Sequence, residues 1–445
     1  MPQFDKIVIV TYPTSASGGE FRLLDLYKLI RDKTDEKVFI FPACEPDISF
    51  LNGYLGKYDF IERLSNLSHS AVITPIYHQE IMKLNVRDNK LLFCAINNSI
   101  GEQNKIIARM SHAMTVNSAF SLVNMMPELM AIRYKNPIYK LHSWVDPNRF
   151  GQTQKQRKDA LIIGRHSRPG SIKFGVENKA LLELKCPYEF RILGTDNDDI
   201  SKAIGTTPPH NWITYKYASR DVPGFLRELD IYLYITGSFR ESWGRSICEA
   251  MLTGVPVICR NRDAIPEYVI DGYNGLLVNN ESDIVRAIKL VADGKAVHIA
   301  ECARKLMESL MEPNHYVDRL IRILSGNESS WINAPTIPLS GETWIIELGT
   351  ESLGKSKAYK YLRISDTSSM GLLRALEFLS GISYDEAMIF GFTGIPSNDI
   401  EITARRLGRN RAHTFLCTDQ YPINHLPILS HNEGIKRLQL LITNL

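Results

Sequence analysis

Short, nearly continuous apolar runs alternate along this chain with longer stretches in which apolar residues recur every three or four positions. The runs read as parallel strands buried on both faces, and the longer stretches as amphipathic helices. Lys6–Thr11 is the first such strand. A small, polar loop ending in Gly18-Gly19 follows. A helix over Glu20–Asp32 comes next, with Phe21, Leu24, Leu26, Tyr27 and Ile30 as its apolar contacts, then a strand over Lys37–Phe41. This is a βαβ start with a glycine-rich turn. It lacks the G-x-G-x-x-G dinucleotide fingerprint, so NAD is not inferred. Further strands are predicted at Ala71–Ile76, Leu91–Ile96, Ala113–Val116 and Ile138–Leu141.

The stretch Gly151–Lys158 is polar and without periodicity, and reads as a linker. A second series follows it. Strands are predicted at Ala160–Ile163, Tyr188–Leu193, Trp212–Tyr215, Ile231–Ile235 and Val257–Cys259. Helices are predicted to end at Leu181–Leu184 and to span Val222–Glu228, Gly244–Leu252, Asp283–Ala292, Ile299–Leu310 and Tyr316–Leu324. Ser325–Ser340, with its Gly, Asn, Ser and two prolines, reads as a second linker. Beyond it, strands at Thr343–Leu348, Lys360–Ile364, Ala387–Phe390 and His413–Cys417, with a helix over Ser369–Leu379, suggest another small α/β unit. The expected fold class is α/β. Its expected domains are 1–152 and 153–328, both Rossmann-like, and an accessory 341–445.

At 445 residues the chain exceeds one hydrophobic core, which agrees with about two or three domains. A net charge of +3 does not imply a nucleic-acid footprint, although local basic patches leave peripheral membrane contact open. The 7 cysteines are scattered, without a C-x-x-C pair, which favours a reducing cytosol over a disulfide scaffold or zinc site. No signal peptide is visible before the first strand. No run approaches ~20 apolar residues, so no transmembrane helix is expected.

Candidate chemistry concentrates between Ile231 and Val257. Glu241 lies in the polar loop after the predicted strand, and Glu249 eight residues on, in the helix. A carboxylate flanked by Ile247, Cys248, Ala250 and Met251 lies near the core and needs a partner. Two neighbouring ribose hydroxyls would suit it. Gly244, Arg245 and Ser246 sit where a helix N-terminus would cradle a diphosphate. Upstream, Arg165 and Lys173 form a cationic pair after the first strand of the second series. That pair either binds a diphosphate or is a solvated basic loop. Asp196-Asn-Asp198-Asp199 has a tempting metal-site form, but it follows a strand and turn and reads as a solvated loop.

The run Glu241-Ser-Trp-Gly-Arg-Ser-Ile-Cys-Glu249-Ala is followed by Gly254-Val-Pro-Val, Pro266-Glu267, Asp271-Gly272 and Asn274-Gly275-Leu276-Leu277-Val278. Together they resemble the E-x7-E signature of retaining glycosyltransferases of the GT-B fold and GT4 type. The resemblance covers roughly residues 5–325 and is specific in the second series. It implies two Rossmann-like domains facing a cleft and a nucleoside-diphosphate sugar as donor. It implies that Glu249 holds the ribose, and that Glu241 and the neighbouring Ser242 lie at the donor, with Glu241 on sugar hydroxyls. Arg165, Lys173 and the N–H groups of Gly244, Arg245 and Ser246 would hold the diphosphate. Gly164 opens the family's G-R…K-G pattern, and Gly19 belongs to a loop facing donor phosphate and acceptor, unless that turn needs glycine for backbone reasons alone. The nucleotide base would lie around Lys216-Tyr217. No cofactor or metal is expected, and front-face attack with the leaving phosphate as base would retain configuration.

The implied partners are the donor and a glycan, lipid-linked or other hydroxyl acceptor, with no nucleic acid. The implied setting is the cytoplasm, the inner face of a membrane included. Departures exist. Asn97 stands where many members carry a histidine near the donor sugar. His78 comes one strand too early and reads as a surface or rim residue. In His142-Ser-Trp-Val-Asp146-Pro-Asn-Arg-Phe150, Trp144 replaces the glycine of the family's G-V-D-x-x-x-F. In the tail, Ser368-Ser-Met-Gly371-Leu-Leu-Arg-Ala-Leu, Met388-Ile-Phe-Gly391-Phe and His431-Asn-Glu433 faintly resemble the later half of sialyltransferase-like enzymes; a plain packing module is the other reading. For the whole chain, a nucleotide-sugar epimerase, a phosphorylase and a non-catalytic assembly module remain the alternatives.

Overall fold

Strands rich in Val, Ile and Leu need cover on both faces, and parallel sheets flanked by helices supply it. The computed structural model describes residues 3–14, 18–151, 160–216, 221–328 and 330, together with 343–348, 360–364, 386–390, 414–417 and 428–429. The chain divides into two compact units, residues 1–62 with 143–321 and residues 63–142 with 322–445.

The first series runs β1 (Ile7–Thr11), α1 (Gly18–Lys33), β2 (Val38–Pro42), α2 (Ile48–Leu55), β3 (Ala71–Thr74), β4 (Lys90–Ala95), α3 (Asn104–Met110), β5 (Ala113–Val116), α4 (Ala119–Ala131) and β6 (Ile138–Lys140). Here β1 pairs with β2, and separately β3, β4, β5 and β6 pair in succession, all parallel.

The second series runs β7 (Leu161–His166), β8 (Tyr188–Leu193), α5 (Asn197–Ile204), β9 (Trp212–Tyr215), α6 (Val222–Arg227), β10 (Ile231–Tyr234), α7 (Arg245–Thr253), β11 (Val257–Arg260), β12 (Leu276–Val278), α8 (Glu281–Ala292), α9 (Val297–Leu310) and α10 (Pro313–Ser325). Its six parallel strands are ordered β12-β11-β10-β7-β8-β9. A core of Ile163, Phe174, Phe190, Ile192, Ile231, Leu233 and Ile258 packs on this sheet. The strand order reverses between β10 and β7. Such a switch point opens a binding edge at the carboxyl ends of the strands. Those two ends lead into the segments carrying Lys173 and Glu241.

The tail strands β13 (Thr343–Leu348), β14 (Lys360–Ile364), β15 (Glu386–Phe390), β16 (Thr414–Cys417) and β17 (Ile428–Leu429) form a parallel sheet of order β14-β13-β15-β16-β17. Among the described residues, no helix is long and apolar enough to cross a membrane.

Several expectations change. β7 runs on to His166, so Arg165 lies within a strand and not on the loop after it. The Asp196 cluster heads α5: Asp196 caps the helix, its side chain accepting from Asp199 N at 2.8 Å. The expected solvated loop is therefore a helix N-terminus. The helices α2, α3 and α4 add to the expected list. Most of both expected linkers, Tyr217, the expected helix over Ser369–Leu379, and the tail motifs at Ser368–Gly371 and His431–Glu433 lie outside the described residues.

Candidate functional site

The candidate edge is built by three segments: the carboxyl end of β7, the turn after it, and the β10–α7 connection. In a strand, alternate side chains face opposite ways. Arg165 therefore points to one side of β7 and His166 to the other.

Arg165 faces inward and is 0% exposed. Its Nη1 donates to the Ile235 carbonyl at 3.0 Å and its Nη2 to the Lys173 carbonyl at 2.6 Å. The guanidinium lies against the rings of Phe174 and Tyr234, and Nε is without a hydrogen-bond partner. Burial lowers its pKa, opposed by Tyr234, Tyr232 and Glu241. The direct diphosphate contact implied by the resemblance does not match this orientation, because both Nη groups are committed to carbonyls inside the fold. The geometry makes Arg165 a brace that ties the Lys173 turn to the end of β10.

Lys173 ends a single 3-10 turn, Ser171–Lys173. Its ammonium donates to Glu241 Oε1 at 2.8 Å and lies 3.2 Å from the centroid of the Phe239 ring. The Tyr234 hydroxyl donates to the same Glu241 oxygen at 2.5 Å. Side-chain exposures of 11% for Lys173 and 9% for Glu241 make this a buried ion pair. Burial lowers the Lys173 pKa, and Glu241 opposes it. The Glu241 backbone is fixed too: its N–H donates to Asp263 Oδ2 at 3.1 Å.

Glu249 lies on α7 with both carboxylate oxygens engaged. Oε2 accepts from His166 Nε2 at 2.8 Å, and Oε1 from Arg245 Nε at 3.0 Å. Burial pulls this carboxyl upward, but His166 and the charges of Arg245 and Arg149 outweigh it, and the net shift is downward. Arg245 extends the network to α1, where Nη2 meets Asp25, 220 residues away in sequence.

Gly244 caps α7 in the left-handed region, φ 86° and ψ 57°, and provides no side-chain cap. The first-turn N–H groups of Arg245 and Ser246 are thus not closed off by a capping side chain, which suits an anion. Gly164 sits in the body of β7, where a Cβ would lie 2.4 Å from Leu229 Cδ2. Packing accounts for this glycine, and it is not at the loop edge. Ser242 is half-buried in the β10–α7 loop, and Gly19 is half-buried at the start of α1. The structure thus gathers Lys173, Glu241, Ser242, Gly244, Arg245, Ser246 and Glu249 along the β7, β10 and α7 edge.

Sequence reasoning passed over His166, Tyr234 and Asp25. The first two carried a signal. His166 follows Arg165 and must face the other way, and a buried tyrosine in a strand needs a hydroxyl partner. Asp25 carried none, since its partner lies on a distant helix.

Residues 148–306 match the family model for Glycosyl transferases group 1. The match spans β7 through most of α9, and so takes in the whole β7–α7 edge. A curated relative from Klebsiella pneumoniae, an uncharacterized 41.2 kDa protein in the cps region, is 24% identical over 327 residues, covering 72% of this chain and 79% of its own. Among solved structures, a glycosyltransferase from Rickettsia africae is 16% identical with a TM-score of 0.58, covering 73% of this chain and 98% of that one. Anabaena HepE, solved in complex with UDP and glucose, is 14% identical with a TM-score of 0.57, covering 72% and 99%. At these identities the structural likeness is one of fold, and that fold is GT-B, with two Rossmann-like parallel sheets. The family match supports a glycosyltransferase.

Proposed function

We propose that this chain is a retaining glycosyltransferase of the GT4 type, moving a sugar from a nucleoside-diphosphate sugar to a hydroxyl of a glycan or lipid-linked acceptor. The observation that carries the reading is one edge that holds two buried carboxylates, a buried ammonium and an uncapped helix N-terminus. The diphosphate sits at the start of α7 within reach of the Lys173 ammonium. These groups stabilise charge that grows on the leaving phosphate. Glu249 accepts from the ribose hydroxyls. Glu241, fixed by Lys173 and Tyr234, accepts from hydroxyls of the transferred sugar and sets its pose. Arg165 holds the Lys173 turn in place. The acceptor hydroxyl attacks the anomeric carbon from the face of the departing phosphate, which takes its proton as the sugar–phosphate bond breaks.

UDP sugars are the first donors to test, since HepE was solved in complex with UDP and glucose. The cps-region relative favours an acceptor in polysaccharide synthesis. The test is transfer from a panel of UDP, GDP and ADP sugars to glycan and lipid-linked acceptors, with the anomeric configuration of the product read by NMR. Retention is expected. An inverted product overturns the mechanism. Formation of an isomer or free sugar phosphate without acceptor points to another reaction on this fold.

A further inference from the structure

Arg245 donates in three directions. Its Nε goes to Glu249 Oε1 at 3.0 Å, its Nη1 to the Trp144 carbonyl at 2.8 Å, and its Nη2 to Asp25 Oδ2. Asp25 is itself fixed: the Tyr54 hydroxyl donates to Oδ1 at 2.5 Å, and Arg149 Nη1 donates to the Tyr54 oxygen at 2.8 Å. Asp25 is 1% exposed, and burial opposes while Asp25 and Glu249 raise the Arg245 pKa.

A guanidinium beside a carboxylate favours the two-point fork, in which two adjacent N–H groups meet both oxygens. Nη2 would complete that fork on Glu249, and it is instead turned to Asp25 Oδ2. Glu249 is therefore met by Arg245 at one oxygen only and by His166 at the other. A carboxylate offers about four acceptor directions, so each oxygen keeps one for a further donor.

The geometry points to Asp25 as a positioning residue for Glu249. By holding Arg245 Nη2 it stops the guanidinium closing on the carboxylate, and so keeps an acceptor direction on each Glu249 oxygen for the paired hydroxyls of a ribose. This rests on the ribose role proposed for Glu249. It has a consequence opposite in sign to simple electrostatics. Replacing Asp25 with Asn removes a negative charge from the network around Glu249, which on charge alone strengthens binding of an anionic nucleotide. On the positioning role, the neutral amide oxygen of Asp25→Asn accepts more weakly than the carboxylate, so Nη2 is loosened, Arg245 closes on Glu249, and binding weakens.

The experiment titrates UDP, GDP and ADP, each beside its 2′-deoxy form, into the full chain. In the unaltered protein, at least one ribonucleotide is expected to bind about tenfold tighter than its deoxy form, the scale of one hydrogen bond to a charged group. In Asp25→Asn, ribonucleotide affinity falls about three- to tenfold while deoxynucleotide affinity is nearly unchanged, so discrimination collapses. Glu249→Gln removes the same discrimination, and the double variant adds little to either single change. Tyr54→Phe, which loosens Asp25 without removing its charge, gives a smaller loss in the same direction and serves if Asp25→Asn does not fold. Equal or tighter binding in Asp25→Asn, or Tyr54→Phe, with discrimination intact overturns the positioning role. Tight nucleotide binding by the unaltered protein with no ribose discrimination also overturns it, through Glu249. Absence of any nucleotide binding by the unaltered protein removes the proposed function itself, a distinct failure.

Discussion

At the residue scale the Lys173–Glu241 pair is the most exposed to test. Removing one partner of a buried ion pair leaves the other charge uncompensated, which typically costs about 3–5 kcal/mol. Lys173→Met is therefore expected to lower stability on the order of 3 kcal/mol, and Lys173→Met with Glu241→Gln to recover much of it, measured by denaturant unfolding. Glu249 gives a pH prediction. Its folded pKa lies below the ordinary carboxylate value. Its ionisation thus stabilises the fold above the unfolded pKa, and that contribution disappears as pH falls through the folded pKa. Melting temperature should drop on acidification into this range, and Glu249→Gln should flatten that part of the profile. An unchanged slope would remove the His166 and Arg245 contacts as the cause. Both glutamates were legible from spacing and composition around α7. The orientation of Arg165 was not, because an apolar run does not reveal that its strand continues through Gly164, Arg165 and His166.

At the element scale, α7 and β7 depend on two glycines for different reasons. Gly244 needs the left-handed region, and a Cβ there would lie 2.8 Å from the Tyr268 hydroxyl oxygen. Gly244→Ala is expected to lose about 1–2 kcal/mol of stability and to shift the start of α7, weakening nucleotide binding. Gly164 needs space. Gly164→Ala is expected to cost about 1–3 kcal/mol, partly restored by Leu229→Ala, and thermal unfolding of the two variants checks both. The strands were readable because uninterrupted Val, Ile and Leu runs have few other homes. The short helices were harder. α2 spans 8 residues and α3 spans 7, too few turns for a clear apolar period. The cap was the best signal for α2, where Asp47 accepts from Phe50 N at 2.9 Å, while α3 has no capping side chain; the longer α4 is capped by Ser118, which accepts from Ser121 N at 3.0 Å.

At the scale of the whole molecule, the family match ends at residue 306, and the solved relatives of similar fold cover 72% to 73% of the chain. We propose that the tail strands β13 to β17 are accessory to that fold. A chain ending at Ser340 is expected to keep nucleotide-sugar binding, with any change confined to acceptor choice or assembly. A folded, truncated protein that no longer binds would make the tail part of the donor site. Two carboxylates, an ammonium and a helix N-terminus on one sheet edge form a donor site only if a nucleoside-diphosphate sugar binds there. The direct measurement is melting temperature with UDP, GDP and ADP sugars, beside a CMP sugar, since a ligand of the native state raises it. At least one diphosphate sugar should raise the melting temperature of the unaltered protein, and Glu249→Ala should abolish that rise while remaining folded. No shift with any of them, or an equal shift in Glu249→Ala, would contradict it.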